Sequence, residues 1–213
     1  MRMEPIDLDH VSAALMKKGY AVSVFDDKES AAVYLDNSID GRRVGLGDSL
    51  TLEALAIYER LVLHNQVFEP SEAHRGQVGP GQLRDFQEAA LETVDTEIFL
   101  ASVNGIAASG ELVNIDRRGN RVAGTLFGHE KVYIVAGVNK IAPTLEDAIW
   151  RARNIAAPQN ARRLGYRTPC AATGDKCYDC NHAQRICCGL VVHLQKMCGF
   201  AMEIVLIKES LGL

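Results

Sequence analysis

Residues 131–138, Lys-Val-Tyr-Ile-Val-Ala-Gly-Val, constrain the fold of this chain more than any other stretch. A nearly unbroken apolar run of strand-forming residues reads as a strand buried on both faces. Such strands belong to parallel sheets covered by helices on each side. The flanking pattern agrees. Helical spacing of Leu8, Val11, Leu15 and Met16 predicts a helix over 8–18 that stops at Gly19. A strand follows over 21–25, then a helix capped by Asp26 or Asp27 and reaching residue 35. Further strands are expected over 43–46, 61–68, 98–103, 111–115, 190–194 and 202–207. Helices are expected over 52–58, 83–94, 121–127 and from the Thr144 cap to 155, with Pro158 opening another. Strands alternating with helices give an α/β fold, a mainly parallel sheet between helical layers.

At 213 residues and 47% apolar composition, the chain suits one domain spanning 1–213 with an ample core. Its net charge of −4 argues against nucleic acid or an anionic membrane as partner. Arginines nevertheless gather at 117–121, 151–153 and 162–163, where local anion binding is expected. The opening MRMEPIDLDH has no apolar leader region, and no run is long enough to span a bilayer. The expectation is a cytoplasmic protein, and its six cysteines then point to thiol or metal chemistry before disulfides.

Polar residues at the ends of apolar strands mark where open α/β sheets bind ligands. Three such groups stand out. A glycine turn, Gly45-Leu-Gly47-Asp48-Ser49-Leu-Thr51, lies between a strand and a helix, where free N–H groups suit a phosphate or carboxylate. It lacks the third glycine of a dinucleotide fingerprint and the lysine of a P-loop, and an ordinary capped turn explains it equally well. The rim from Asn104 to Arg121 supplies Asn104, Glu111, Asn114, Asp116, Asn120 and Arg121 as ligand-binding candidates. Glu111 and Asp116 are its only carboxylates and so the candidates for proton transfer. Asn139 and Lys140 close the 131–138 strand, and Lys140 offers a point charge for an anionic substrate.

The sharpest chemical signal is Cys170-x6-Cys177-x2-Cys180-x6-Cys187, with Cys188 adjacent and Cys198 beyond. Four thiolates in one loop suit tetrahedral zinc or an iron–sulfur cluster, although the spacing is neither a zinc ribbon nor a common ferredoxin pattern. Free or redox-paired thiols and a structural disulfide remain open alternatives. His182 is a substitute ligand, and the other histidines read as structural or surface residues.

Asn104-Gly-Ile, Gly110-Glu-Leu-Val-Asn114-Ile-Asp116, Gly119-Asn-Arg-Val122, Phe127-Gly128 and Val135-Ala-Gly-Val-Asn-Lys140 together resemble the lactate-utilisation (LUD) domain family. Asn154-Ile-Ala-Ala-Pro-Gln-Asn-Ala161 and the run from Thr168-Pro-Cys170 to Ile186-Cys187 resemble its small single-domain branch. The resemblance covers about residues 8–208. It implies a fold similar to sugar-phosphate isomerases and CoA transferases, and a link to the oxidation of L-lactate to pyruvate beside iron–sulfur partner subunits. One departure weakens an acid–base role for the rim. Family members often carry an acid just before the glycine matching Gly110, where this chain has Ala108-Ser109. The functional expectation is a subunit or accessory factor of lactate oxidation that binds a small carboxylate. The alternative is a stand-alone enzyme acting on a sugar phosphate or acyl-CoA. A homodimer is the default oligomer.

Overall fold

The computed structural model describes residues 7–71, 74, 77–79 and 82–213; the reading of the first six residues, and part of the expected 70–80 loop, lie outside them. In chain order its elements begin α1 (Leu8–Lys17), β1 (Ala21–Phe25), α2 (Lys28–Ser38), β2 (Arg43–Leu46), α3 (Leu50–Ala54), α4 (Ile57–Leu61) and β3 (Gln66–Phe68). A small hairpin, β4 (Gln77–Gly79) and β5 (Gln82–Leu83), leads to α5 (Phe86–Val94), β6 (Ile98–Ala101), β7 (Gly105–Ala107), β8 (Leu112–Asp116) and α6 (Asn120–Leu126). The remainder is β9 (Lys131–Gly137), a 3-10 turn over Val138–Lys140, β10 (Ile141–Ala142), α7 (Leu145–Arg151), a π-helical segment Ala152–Ala156, α8 (Ala157–Arg163), α9 (Pro169–Thr173), β11 (Gly189–His193) and β12 (Ala201–Ile207).

Six strands form one sheet in the order β1-β12-β9-β6-β2-β3, with every neighbouring pair parallel. The apolar run at 131–138 is its centre. Because side chains alternate along a strand, Tyr133 and Val135 enter one core cluster while Val132, Ile134 and Ala136 enter the other. On the first side α2, α3 and α4 contribute Leu35, Leu52, Ile57 and Leu61. On the second, α1 contributes Val11 and Leu15. Each such side chain removed from water stabilises the fold by roughly 2 kcal/mol. Met16, expected on the same face of α1, is instead 55% exposed.

A second sheet, β10-β7-β8-β11, packs beside the first, with β7–β8 and β8–β11 antiparallel. Small residues make its cover close. Ala148, Ala152, Ala157 and Ala161 on the α7–α8 helix meet Ala107, Val113 and Ile115 of the sheet. A Cβ on Gly105 would stand 2.8 Å from the Ala148 carbonyl oxygen, so the Asn104-Gly105 pair is needed for helix contact.

Local deviations from the periodicity have physical causes. The single helix expected over 52–58 is two short ones, α3 and α4, broken at Ala56, whose φ is +48°. Residues 61–65, expected in a strand, complete α4 and a turn, leaving β3 three residues long. The helices flanking Pro158 form one continuous path. Proline's ring would collide with the carbonyl four residues back, here Asn154, and the missing N–H breaks the α pattern. The π turn absorbs both by bonding the Ala157 N–H to the Ala152 carbonyl.

Gly124 lets α6 lie on β6, since a Cβ there would sit 2.6 Å from the Phe99 ring. Gly124→Ala should therefore cost about 1–3 kcal/mol. Urea unfolding would check it, and an unchanged midpoint would show that α6 is not held by this contact.

Candidate functional site

Three strands that lie side by side, β9, β6 and β2, end at the same edge of the parallel sheet. Their continuations supply Lys140, Ser102 to Asn104, and Asp48 to Thr51, which floor a cleft of about 430 Å³. The walls come from elsewhere. Asp116, Arg117 and Arg118 follow β8, Asn120 and Arg121 open α6, and Asn160 and Arg163 come from α8 just past the π turn. Apolar surface is provided by Val103, Ile115, Phe86, Leu164 and Ile186. Apolar walls with a few convergent polar groups are what a small-ligand site requires.

Arg121 is the structural knot. Its Nη1 donates to the Ser102 carbonyl at 2.9 Å and Asn114 Oδ1 at 2.6 Å. Its Nη2 donates to Asn104 Oδ1 at 3.2 Å and the Ile115 carbonyl at 2.7 Å, and Nε lies 3.4 Å from Asp116 Oδ2. Burial works against its charge, opposed by Asp116 and Asp48. Four hydrogen bonds and one ion pair thus commit the guanidinium to the scaffold. Asp116 is likewise occupied: its Oδ1 accepts the N–H groups of Arg118 and Gly119 and so shapes the turn.

Lys140 differs from every other lysine in the chain by its surroundings. It is 3% exposed, and its ammonium donates to Thr51 Oγ1 at 2.8 Å and Ser102 Oγ at 2.7 Å. Burial, with the charges of Arg151 and Arg121 added, pushes its pKa from 10.5 down to about 7.

Of the residues singled out in the sequence, the fold brings Asp48, Ser49, Thr51, Asn104, Asp116, Asn120, Arg121 and Lys140 to this cleft. Ser49 also caps α3, accepting the Thr51 N–H at 3.2 Å, as the plain reading of the glycine turn required. Gly47, Asn114, Asn139 and Glu111 do not line the cleft. Gly47 makes room for Arg121, whose Cγ would lie 3.0 Å from an added Cβ. Asn114 is wholly buried against Arg121, and Asn139 Oδ1 accepts the Leu211 N–H. Glu111 pairs with Lys18, the residue that caps the end of α1, at 2.8 Å. Burial raises its pKa, but hydrogen bonds from Lys18 and Ser109 outweigh that and hold it below the usual carboxylate range. Placed there it has no proton to move in the cleft. Ser102, Asn160, Arg163 and Tyr166 were not named from the sequence. Ser102 follows a strand end just as Asn104 does, and Arg163 belongs to the noted arginine cluster. Asn160 lies inside the Asn154–Ala161 motif, and nothing local marks Tyr166.

The cysteine loop returns to the rim. Cys188 donates its N–H to the Asp116 carbonyl at 3.0 Å, β11 then pairs with β8, and Ile186 reaches the cleft. Arg185 pins the loop by donating to the carbonyls of Cys180 at 2.7 Å and Cys187 at 3.0 Å. The Cys177 N–H is held by Asn154 Oδ1 at 3.1 Å. Burial pushes the Cys187 thiol up against the pull of Arg185, and Cys177 is close enough to push it further. All six cysteines are unbridged. Among the described residues no three Cys, His, Asp or Glu side chains converge as a metal-ligand group. As placed, the cysteines do not form a cage, and no chemical step is assigned to one.

The sequence pattern of the LUD domain family matches residues 8–206. No curated protein matches the chain in sequence. Among solved structures, a DUF162 family protein from Deinococcus radiodurans aligns over 94% of this chain and 95% of its own with a TM-score of 0.52, at 12% identity. That likeness is one of fold. Ribose 5-phosphate isomerase from Plasmodium falciparum aligns over 55% of this chain and 52% of its own, with a TM-score of 0.34 and 15% identity. No helix among the described residues is long and apolar enough to cross a membrane.

Lys140 makes stability depend on pH in a definite direction. Its folded pKa lies below its unfolded value, so the unfolded chain binds the proton more tightly. Its contribution to stability therefore rises with pH between about 7 and 10.5, and is flat below that window. Urea midpoints of the wild type and Lys140→Met at pH 7 and pH 9 test this. The wild type should gain stability relative to the variant at pH 9; parallel behaviour would contradict the buried, depressed amine.

Proposed function

The chain belongs to the LUD domain family, and from that premise we propose that its cleft binds a small carboxylate and that the protein serves the oxidation of L-lactate to pyruvate as a subunit or accessory factor. One observation carries the binding half. Lys140, Arg117, Arg118 and Arg163 all line the cleft, and none has a carboxylate partner among the described residues. Arg117 instead donates to the Tyr166 hydroxyl at 2.6 Å, Arg118 lies 4.1 Å over the Phe86 ring, and Arg163 donates to Asn160 Oδ1 at 3.0 Å. Cations gathered in a pocket and not ion-paired to a carboxylate stabilise a bound anion more than they stabilise the fold. Of the two carboxylates facing them, Asp116 is committed to Arg121 and its own turn.

The lactate half rests on family membership. The oxidation releases two electrons, which the iron–sulfur partner subunits implied by the resemblance would accept. A resident zinc or iron–sulfur cluster on Cys170, Cys177, Cys180 and Cys187 is the second part of the proposal. It is supported by a loop tied down at Cys177, Cys180 and Cys187 beside the rim, and it requires that loop to close further. The cluster would supply electron transfer, and zinc would supply structure.

Calorimetric titration with L-lactate, pyruvate and ribose 5-phosphate tests the cleft. Binding of lactate or pyruvate that falls at least about tenfold in Arg118→Ala and Arg163→Ala, roughly 1.4 kcal/mol, is the expected result. Binding of the sugar phosphate alone would move the assignment to a stand-alone enzyme on phosphorylated substrates. Binding of none would sink the reading.

Metal analysis and a visible spectrum of anaerobically purified protein test the cysteines. Iron or zinc near one site per chain, lost in Cys177→Ser and Cys180→Ser, is expected. Colourless, metal-free protein with every thiol titratable would remove the cofactor.

A further inference from the structure

Lys140 has surroundings that anion binding alone does not explain. A lysine kept for its charge does best with a carboxylate counter-ion, and among the described residues Lys140 pairs with hydroxyls instead. Its recorded partners are the hydroxyls of Thr51 and Ser102, and the charged groups acting on it, Arg151 and Arg121, are both cationic. Arg151 is itself anchored, donating to the carbonyls of Asn139 and Asn104 at 2.9 and 2.5 Å, so it cannot swing away. The backbone near the chain's last residues closes over the group. A Cβ on Gly212, whose φ is +65°, would stand 3.3 Å from Nζ and 2.5 Å from Thr51 Oγ1. Leu213 lines the same cleft. Burial at a cleft floor among cations favours the neutral form of an amine, which is the form that attacks carbonyl carbon.

We propose that Lys140 is an amine nucleophile that forms a Schiff base with the carbonyl of a small 2-oxo acid bound in the cleft. This rests on the cleft reading given above and goes beyond it by assigning covalent chemistry. The Nζ lone pair makes the new C–N bond while the carbonyl oxygen takes up a proton. That proton is the first of two that the amine nitrogen gives up; the second goes to the resulting hydroxyl, which leaves as water, and the neutral C=N bond remains. No oxidant or reductant is consumed. The Thr51 and Ser102 hydroxyls touch Nζ and each other, the latter at 3.3 Å, so they are placed to pass the proton from nitrogen to the departing oxygen. Arg118 and Arg163 are the cations left for the acid's carboxylate. The depressed pKa of Lys140 is consistent with this assignment: at about 7, half the amine is already neutral near physiological pH.

Borohydride trapping of the full chain with pyruvate, read by peptide mass mapping, tests it. The expected result is a reduced pyruvyl adduct on Lys140, absent from Lys140→Arg. A second measurement needs no variant. The trapping rate at Lys140 should rise about tenfold between pH 6 and 8 and then level, whereas a surface lysine gains about tenfold per unit throughout. A flat map, an adduct spread over surface lysines, or a rate at Lys140 that keeps climbing would overturn the proposal. Calorimetry on the same samples separates the two readings. Pyruvate heat without an adduct leaves the anion cleft standing and removes the nucleophile; neither heat nor adduct removes both.

Discussion

The guanidinium of Arg121 holds together the parts from which the cleft is made. The parallel sheet and the smaller mixed sheet are separate hydrogen-bonded units, and where they meet they present bare carbonyls and amide oxygens. One planar, five-donor group answers the Ser102 carbonyl from one sheet, and Asn114, the Ile115 carbonyl and Asp116 from the other. Asn104 Oδ1 joins through both Arg121 and the Ile115 N–H at 2.8 Å. A lysine has too few donors and the wrong shape for this arrangement. The residue that most resembles a ligand-binding arginine in the sequence is therefore committed to architecture.

That commitment explains why other cations are left over. With Asp116 drawn to Arg121, the arginines next to it in sequence turn to aromatic rings: Arg117 to Tyr166 and Arg118 to Phe86. Such contacts orient a guanidinium without neutralising it. The same division separates Lys140 from Glu111. Glu111 satisfies Lys18 at the end of the far helix, and Lys140 is left with hydroxyls. Positive charge accumulates at the carboxyl edge of the sheet while Asp116 and Glu111 are taken up by Arg121 and Lys18.

The π turn belongs to the same account. Pro158 forces a wide turn in the helix that follows Lys140, and Ala156, Ala157, Asn160 and Arg163 meet the cleft at or just beyond it. The π turn takes in one residue more than an α turn, so a regular helix would present the side chains beyond it rotated by about 100°. The Asn154 side chain, which lies in the π turn, accepts the Cys177 N–H. One proline thus adjusts both the cleft wall and the cysteine loop.

Much of this was legible in the residues alone. The 131–138 run pointed to a strand buried on both faces, because it is short, continuously apolar and rich in β-branched and aromatic residues, and it is central in the sheet. Strand ends marked Asp48, Ser49, Thr51, Asn104 and Lys140, because the carboxyl edge of a parallel sheet is where the chain leaves the core. Half of the second sheet was not legible: β8 and β11 answer the strands expected over 111–115 and 190–194, but three-residue β7 and two-residue β10 are too short to show a period. Nor was the division of labour among similar residues. Glu111 and Asp116, or Arg121 and Arg118, are chemically alike in sequence. Hydrogen-bond satisfaction is a property of distance and angle across segments up to a hundred residues apart, so only the tertiary structure decides which charges serve the scaffold and which remain for a ligand.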